Sequence, residues 1–482
     1  MMVGVNRMVE IMTYTLEGNA LGTMPKDEAH RAYHEAFAAG RPQPHKHEHV
    51  GALLFDGKGR MLTQLRSPFA NENAGLTDKT FGGHVPASSA DSAALMQIAT
   101  REYRIPVAVV SKQQLTEIAT KHPELVRRQA FITEVDSIDN HSSPRTIADG
   151  RTMQEICTQR LYAGIFNGHY QAQEEGTALR PLSLQNIVRY AEEHPLLVTG
   201  DLQHFITEYY RDLKRIADLA AKPASAEKTA ELIHLYSKEG LLKGTIPRKV
   251  AHTPIIEAFL SGKEQPDKHQ HIAGVLIGRD GQVFSQIRAG DKAENPGMYD
   301  KIVGGHIPAG DSPIVAAYHE FLEEMRIPVA VYGDLEWESI LRLFPEVIKY
   351  QAICSDPTLQ RDFRSVRFRT DGSTFVEISD QFVTSGYYNG DFGFVDKEAS
   401  GIFQFPSREE LAREMVQDPL HQMMVERYGH EIGEHNGKPN LVFRDQTNVI
   451  EAMREHPGRF TQDFRFLVSY HWDDLIPLEK RF

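Results

Sequence analysis

Cysteine is scarce in this chain. Only Cys157 and Cys354 occur among 482 residues, which excludes a disulfide framework and fits a reducing compartment. No apolar run reaches the roughly 20 residues a membrane span needs. The first 19 residues lack the long apolar core and cleavage site of a secretory leader. A cytoplasmic location, away from membranes, is therefore the expectation. Basic excess is missing too: 53 Lys and Arg face 66 Asp and Glu, for a net charge of −13. That balance opposes binding to a nucleic-acid polymer or an anionic membrane. It still admits a small phosphorylated partner, because a metal held in a pocket reverses the local sign. Low-complexity tracts are absent as well. The hydrophobic fraction of 41% and charged fraction of 25% belong to a globular protein with two or three cores.

What the chain does have is an internal repeat. His47 and His269 stand 269 − 47 = 222 positions apart, and the same offset pairs Gln64 and Arg66 with Gln286 and Arg288. It also pairs Gly82-Gly83-His84 with Gly304-Gly305-His306, and Asn167-Gly168 with Asn389-Gly390. A register held over about 150 residues implies two similar domains. Late in the unit the offset becomes 455 − 193 = 262, as Glu193-His194-Pro195 recurs at Glu455-His456-Pro457. The second unit thus carries an insertion of about 40 residues near 408–445, a size typical of a lid, specificity loop or interface. Within it, residues 411–428 look helical and 431–440 look like a polar loop. The expected domains are 1–220 and 221–482, joined near 218–231.

Each unit is expected to open with a strand, residues 13–22 and 235–244. An apolar hairpin broken by Asp-Gly follows, 50–55 with 61–66 and 272–277 with 283–288. Amphipathic helices are expected at 92–103 and 312–325, and further strands near 350–354 and 374–388. Strands interleaved with a few helices indicate an α/β (α+β) fold.

On the second of these helices Glu320, Glu323 and Glu324 stand at i, i+3 and i+4, so three carboxylates share one face. Such neighbours repel and raise each other's pKa, and a hard cation such as Mg²⁺ relieves the repulsion. A solvated acidic face is the plainer alternative for a helix of this composition.

Residues 305–327, GHIPAGDSPIVAAYHEFLEEMRI, resemble the box of the Nudix hydrolase superfamily, G-x5-E-x7-R-E-U-x-E-E-x-G-U. Gly305, Glu320, Phe321, Glu323, Glu324 and Ile327 match. Asp311, His319 and Arg326 stand in for Glu, Arg and Gly. The resemblance implies tandem α/β/α sandwiches with mixed sheets, and Mg²⁺ or Mn²⁺ held by Glu320, Glu323 and Glu324. An Asp311–His319 pair would replace the family's Glu–Arg contact. In the first copy Ile98, Arg101 and Glu102 occupy the three acidic positions. Its box is degenerate, and a scaffold, regulatory or substrate-binding role is expected there.

Histidines recur as pairs, His30/His252, His47/His269, His49/His271 and His84/His306, with Glu155/Glu377 downstream. Imidazoles with carboxylates suit Mn²⁺, Zn²⁺ or Fe²⁺; taken singly, each histidine is a cap or core residue. The set resembles the isopentenyl-diphosphate isomerase-like branch of the superfamily. There a His ending the leading strand, another before the hairpin, one after the glycine turn and a late Glu form a metal shell. His252, His271, His306 and Glu377, with Glu324, fill those places. His30, His49, His84, Glu155 and Glu102 do so in the first half. That branch's cysteine and second glutamate are replaced by Gly304 and Ser379, and by Gly82 and Cys157.

Arg288 is a candidate for a substrate phosphate, Tyr299 and Asp300 are candidate pocket residues, and Glu398 resembles the family's late glutamate. The reading is a metal-dependent hydrolase of a diphosphate-containing small molecule, with Glu324 or Glu398 as base. An isomerase or lyase at the histidine site and a non-catalytic ligand sensor are the alternatives. Either a monomeric pseudo-dimer or a homodimer is compatible with two fused units.

Overall fold

A computed structural model describes residues 9–147, 150–173, 178–222, 231–263, 265–392, 399–435, 437–443 and 445–482. The chain falls into two compact units, Met1–Ser225 with Glu338–Val347, and Ala226–Trp337 with Ile348–Phe482. Among the described residues, no helix is long and apolar enough to cross a membrane.

In the second unit a nine-stranded mixed sheet is built around Gln270–Ile277. This apolar strand runs parallel to Thr374–Tyr387, with Ala273 opposite Val383 and Gly274 opposite Thr384. Its other edge is shared between Val303–His306, which places His271 opposite His306, and Val283–Arg288. Side chains alternate across a strand. Hence Ala273 and Val383 pack on Leu467 of helix Gln462–Tyr470. Phe321 of helix Pro313–Met325 lies on the opposite side, where an added Cβ at Gly274 would approach it to 3.2 Å. The sheet is sandwiched between helices, an α/β architecture.

The first unit repeats the plan. Lys46–Phe55 runs parallel to Thr152–Ile165, and His49 lies opposite His84 on Phe81–His84. Helix Asp91–Tyr103 covers a core that includes Val50, Leu54, Phe81, Leu95, Ile98 and Ile132.

Several expectations need correction. The opening segments are not single strands but hairpins, Glu10–Tyr14 with Ala20–Pro25 and Leu232–Tyr236 with Leu242–Pro247. Gly18 and Gly240, at φ +94° and +85°, make the turns, a conformation open to glycine at little cost. His252 does not end a strand; it lies on helix Arg248–Leu260. In the inserted segment the helical stretch is two helices, Arg408–Val416 and Pro419–Tyr428, separated where Asp418 caps the second. The polar loop contains a small hairpin, Glu434–His435 with Lys438–Pro439.

The insertion is packed, not loose. Leu420, Met424 and Phe443 join Met298, Val366 and Val449 in a buried cluster. The Arg465 guanidinium, wholly buried, donates to the Met415 carbonyl at 3.2 Å and stands 3.4 Å from the Asp418 carboxylate.

Both box helices end in a left-handed residue that is not glycine, Arg104 at φ +52° and Arg326 at φ +55°. An L side chain there costs about 1 kcal/mol. Arg326→Gly should therefore stabilise the second unit by up to about 0.6 kcal/mol, after the added freedom of the unfolded chain is deducted. A denaturant midpoint at or below the wild type's would contradict this.

Candidate functional site

The glycine turn and the acidic helix build one wall of a cleft in the second unit. Gly305 faces Glu320 so closely that an added Cβ would lie 2.3 Å from its Oε1, so a side chain there would displace the carboxylate. Glu324 Oε2 accepts the Gly304 N–H at 3.1 Å. Glu320 and Glu324 are buried, whereas the Glu323 side chain is 65% exposed. Burial, followed by the neighbouring Glu324, pushes the Glu320 carboxyl well above the usual carboxylate range. A cation would relieve that penalty. His319 Nδ1 stands 3.6 Å from Glu323 Oε2.

The histidines form the floor. His269 precedes the central strand and His271 lies two residues on, so the period of two turns both to one face. His306 is brought across by its pairing with His271, and His252 descends from the helix. One ligating atom from each of His252, His269, His306 and Glu377 lies within 4.8 Å of all the others. His269 Nε2 is 2.8 Å from Glu377 Oε1, His252 Nε2 is 3.2 Å from His306 Nε2, and His271 Nε2 is 3.7 Å from Glu377 Oε1. Donors around one ion with 2.1 Å bonds stand about 3.0–3.4 Å apart, so these separations bracket a metal shell.

The protonation states suit metal binding too. Burial drives His271 and His306 well below the ordinary imidazole range, leaving them neutral. Burial works the other way on Glu377, but the Arg367 guanidinium holds its carboxyl well below the usual range. Neutral imidazole and ionised carboxylate are the ligating forms. His271 Nε2 is buried and makes no hydrogen bond among the described residues. Around the shell, His252 Nδ1 stands 3.4 Å from Glu294 Oε1, and Arg367 donates to Glu377 Oε2 at 2.8 and 3.0 Å. Lys301 and Arg367 both meet Asp463, at 2.9 and 3.2 Å.

The same arrangement stands in the first unit. His30, His47, His84 and Glu155 bring one ligating atom each within 4.8 Å of one another. His30 Nε2 is 2.7 Å from His84 Nε2, and His47 Nε2 is 2.6 Å from His49 Nε2. Two ring nitrogens this close cannot both carry hydrogen, since an N–H needs a lone pair opposite it. Tyr33 lies 2.6 Å from His47 Nδ1 and orients the ring, as outer partners of metal-bound histidines do. Arg145 donates to Glu155 at 2.6 Å. The acidic wall is gone: Ile98 joins the apolar core, and Arg101 stands in place of a carboxylate.

The structure thus brings Glu320, Glu323, Glu324, His252, His271, His306 and Glu377 to one cleft of about 180 Å³, with Arg288 at its wall. The Arg288 guanidinium is already engaged by Asp300 Oδ2 and the Glu294 carbonyl, both at 3.0 Å. Tyr299 and Asp300 back the cleft instead of lining it. Tyr299 packs among Phe403, Phe405 and Phe460. Asp300 is wholly buried and accepts from Arg288 and Thr461. Glu398 lies outside the described residues.

The candidate metal ligands read from the sequence leave out His269, and Arg367, Glu294 and Asp463 were not among the candidate site residues. The His-x-His spacing on a strand was the available signal for His269. For the others it was recurrence, as Arg145, Glu72 and Asp201 in the first copy.

No family model and no curated protein matches this chain. Among solved structures, the DR0079 protein of Deinococcus radiodurans is similar at 16% identity over 39% of this chain and 90% of its own, with a TM-score of 0.25. A NUDIX-family hydrolase from Clostridium perfringens is similar at 17% identity over 30% of this chain and 85% of its own, with a TM-score of 0.20. A bifunctional NMN adenylyltransferase/ADP ribose pyrophosphatase from Francisella tularensis is similar at 12% identity, over 39% and 46% respectively, with a TM-score of 0.24.

Proposed function

We propose that the second unit is a Nudix-type hydrolase that cleaves a phosphoanhydride bond in a diphosphate-containing small molecule with the help of divalent metal. The observation that carries this reading is the burial of Glu320 beside Glu324 in the cleft that also holds the histidine shell. Oxygen donors on the helix suit Mg²⁺ or Mn²⁺; the imidazole-rich floor suits Mn²⁺, Zn²⁺ or Fe²⁺. When bound, such a metal supplies charge neutralisation and a water of lowered pKa.

The protein's own groups do the rest. Glu320, Glu323 and Glu324 present the carboxylates, and the Gly304 N–H steers one oxygen of Glu324. Glu324 takes the proton of the attacking water as its oxygen bonds to phosphorus and the bridging P–O bond breaks. Arg248, at the cleft wall, stabilises charge on the departing phosphate, while Arg288 stays paired with Asp300. In this reading Glu398 is an alternative base.

The test is phosphate or monophosphate release from a panel of nucleoside diphosphate derivatives, with and without added Mg²⁺ or Mn²⁺. Release that needs the metal is expected; no release from any compound under any divalent metal overturns the proposal. The matched histidine shells favour a second reading, an isomerase or lyase acting on a diphosphate at that floor. It would convert substrate without liberating phosphate by hydrolysis.

A further inference from the structure

The first unit holds a group of side chains that its repeat lacks. Helix Lys26–Ala38 buries Ala29, Tyr33 and Ala36, and the Tyr33 hydroxyl ties it to His47 Nδ1 at 2.6 Å. His30 and His34 each follow a residue of that buried face, so they stand about 100° round the helix from it. Four positions apart, they share one flank. Both line the first unit's cavity of about 1080 Å³. In the second copy His252 stands for His30, but Ile256 stands for His34.

Glu72 meets these two rings from another segment. Its Oε1 lies 3.3 Å from His30 Nδ1 and 3.2 Å from His34 Nε2, and one ligating atom from each of the three lies within 4.8 Å of the others. The loop that carries Glu72 is fixed on both sides. Arg66 donates to the Glu72 carbonyl at 3.1 and 3.3 Å. Asn73 exchanges two hydrogen bonds with the Thr146 backbone, at 2.7 and 2.9 Å. The second copy repeats this loop around Glu294, which stands 3.4 Å from His252 Nδ1. There the isoleucine side chain offers no second donor.

The separations match a shared ion better than hydrogen bonds. A charged imidazole and a carboxylate close to about 2.7–2.9 Å, whereas donors around one ion with bonds of about 2.1 Å stand about 3.0–3.4 Å apart. Two histidines four residues apart on a helix can bind one ion. Two imidazoles and one carboxylate form a donor set for Zn²⁺ or Fe²⁺ that leaves coordination positions open.

We propose that His30 Nδ1, His34 Nε2 and Glu72 Oε1 form a site for a divalent transition ion such as Zn²⁺ at the rim of the first unit's cavity. His30 serves it through Nδ1. A neutral ring bound there carries its hydrogen on Nε2 and donates it to His84 Nε2, 2.7 Å away. Such an outer contact orients a metal-bound imidazole. An ion at the rim and one held by His30 Nε2 in the deeper group with His47 and Glu155 therefore exclude each other, and the first unit takes one ion. The inference does not depend on catalysis in the second unit.

Equilibrium dialysis of the full chain against buffered free Zn²⁺, with elemental analysis, tests it. His34→Ala and Glu72→Gln should each hold one equivalent of zinc fewer per chain than wild type. The loss of affinity should exceed the roughly 10–100-fold that outer partners of a metal site carry. The His34 side chain is 38% exposed, so the melting curve of His34→Ala in chelator should stay that of wild type. Equal zinc in wild type and His34→Ala would overturn the proposal. Loss in Glu72→Gln with full retention in His34→Ala would assign the ion to the deeper group and overturn it as well.

Discussion

Replacing Glu323 and Glu324 together by alanine should lower metal-dependent phosphate release by about 10³-fold or more, equivalent to roughly 4 kcal/mol of transition-state stabilisation, and leave the fold intact. Glu323 has its side chain 65% exposed, so its removal leaves no cavity. Glu324 gives up the hydrogen bond it accepts from the Gly304 N–H, worth about 1 kcal/mol. Removing it also relieves the repulsion that raises Glu320, which offsets part of that loss. Stability and activity should therefore separate. Near-normal release by a variant with a wild-type melting curve would remove the acidic helix from the mechanism. An unfolded variant would instead show that these side chains support the sandwich.

Glu377→Ala should have the opposite profile, with a large loss of stability. The Glu377 carboxylate is 1% exposed and accepts two hydrogen bonds from Arg367, itself buried, and stands 2.8 Å from His269. Truncation leaves the Arg367 guanidinium with Asp463 as its remaining anionic partner, at 3.2 Å. Breaking a buried pair from one side costs about 3–5 kcal/mol, chiefly the penalty of a stranded charge. For a unit of this size that lowers Tm by roughly 6–15 °C. Elemental analysis should show transition metal lost in the same variant, because the group of His252, His269, His306 and Glu377 loses its carboxylate. Glu377→Gln keeps the shape and should fall between. A Glu377→Ala protein melting within a degree of wild type would show that the Arg367–Glu377 pair contributes nothing net. Retained stoichiometric metal would place the ion elsewhere.

The repeat explains how much could be read without coordinates. Comparing His47 with His269, or Arg101 with Glu323, uses one half of the chain as the control for the other. Both box helices and the central hairpins follow from residue periodicity, which depends only on local geometry. The asymmetry of the acidic helix was equally visible, because three carboxylates at helical spacing share a face wherever the helix packs.

Other features depended on contacts between distant segments. His252 looked like a strand terminus, yet residues 248–260 form a helix whose Pro254 and weak amphipathic pattern disguise it. The opening strands proved to be hairpins because Gly18 and Gly240 adopt positive φ, which composition permits but does not compel. Arg367 and Asp463 lie 96 positions apart, and no local rule links them. Only the register of the long hairpin 358–387 and the packing of helix Gln462–Tyr470 bring them to Glu377. Asp300 likewise carried the same charge as a pocket residue would, and the fold buried it against Arg288.

The sequence by itself determined the internal repeat, the α/β class, the acidic helix and the recurrence of the histidines. These follow from spacing and chemistry within short segments. Tertiary structure alone decided which of those side chains meet and which are neutralised before a ligand arrives. It also decided that the first cleft is wide, about 1080 Å³, and the second narrow, about 180 Å³. Those outcomes depend on burial and on charge partners supplied by remote strands, and neither is encoded at the position it controls.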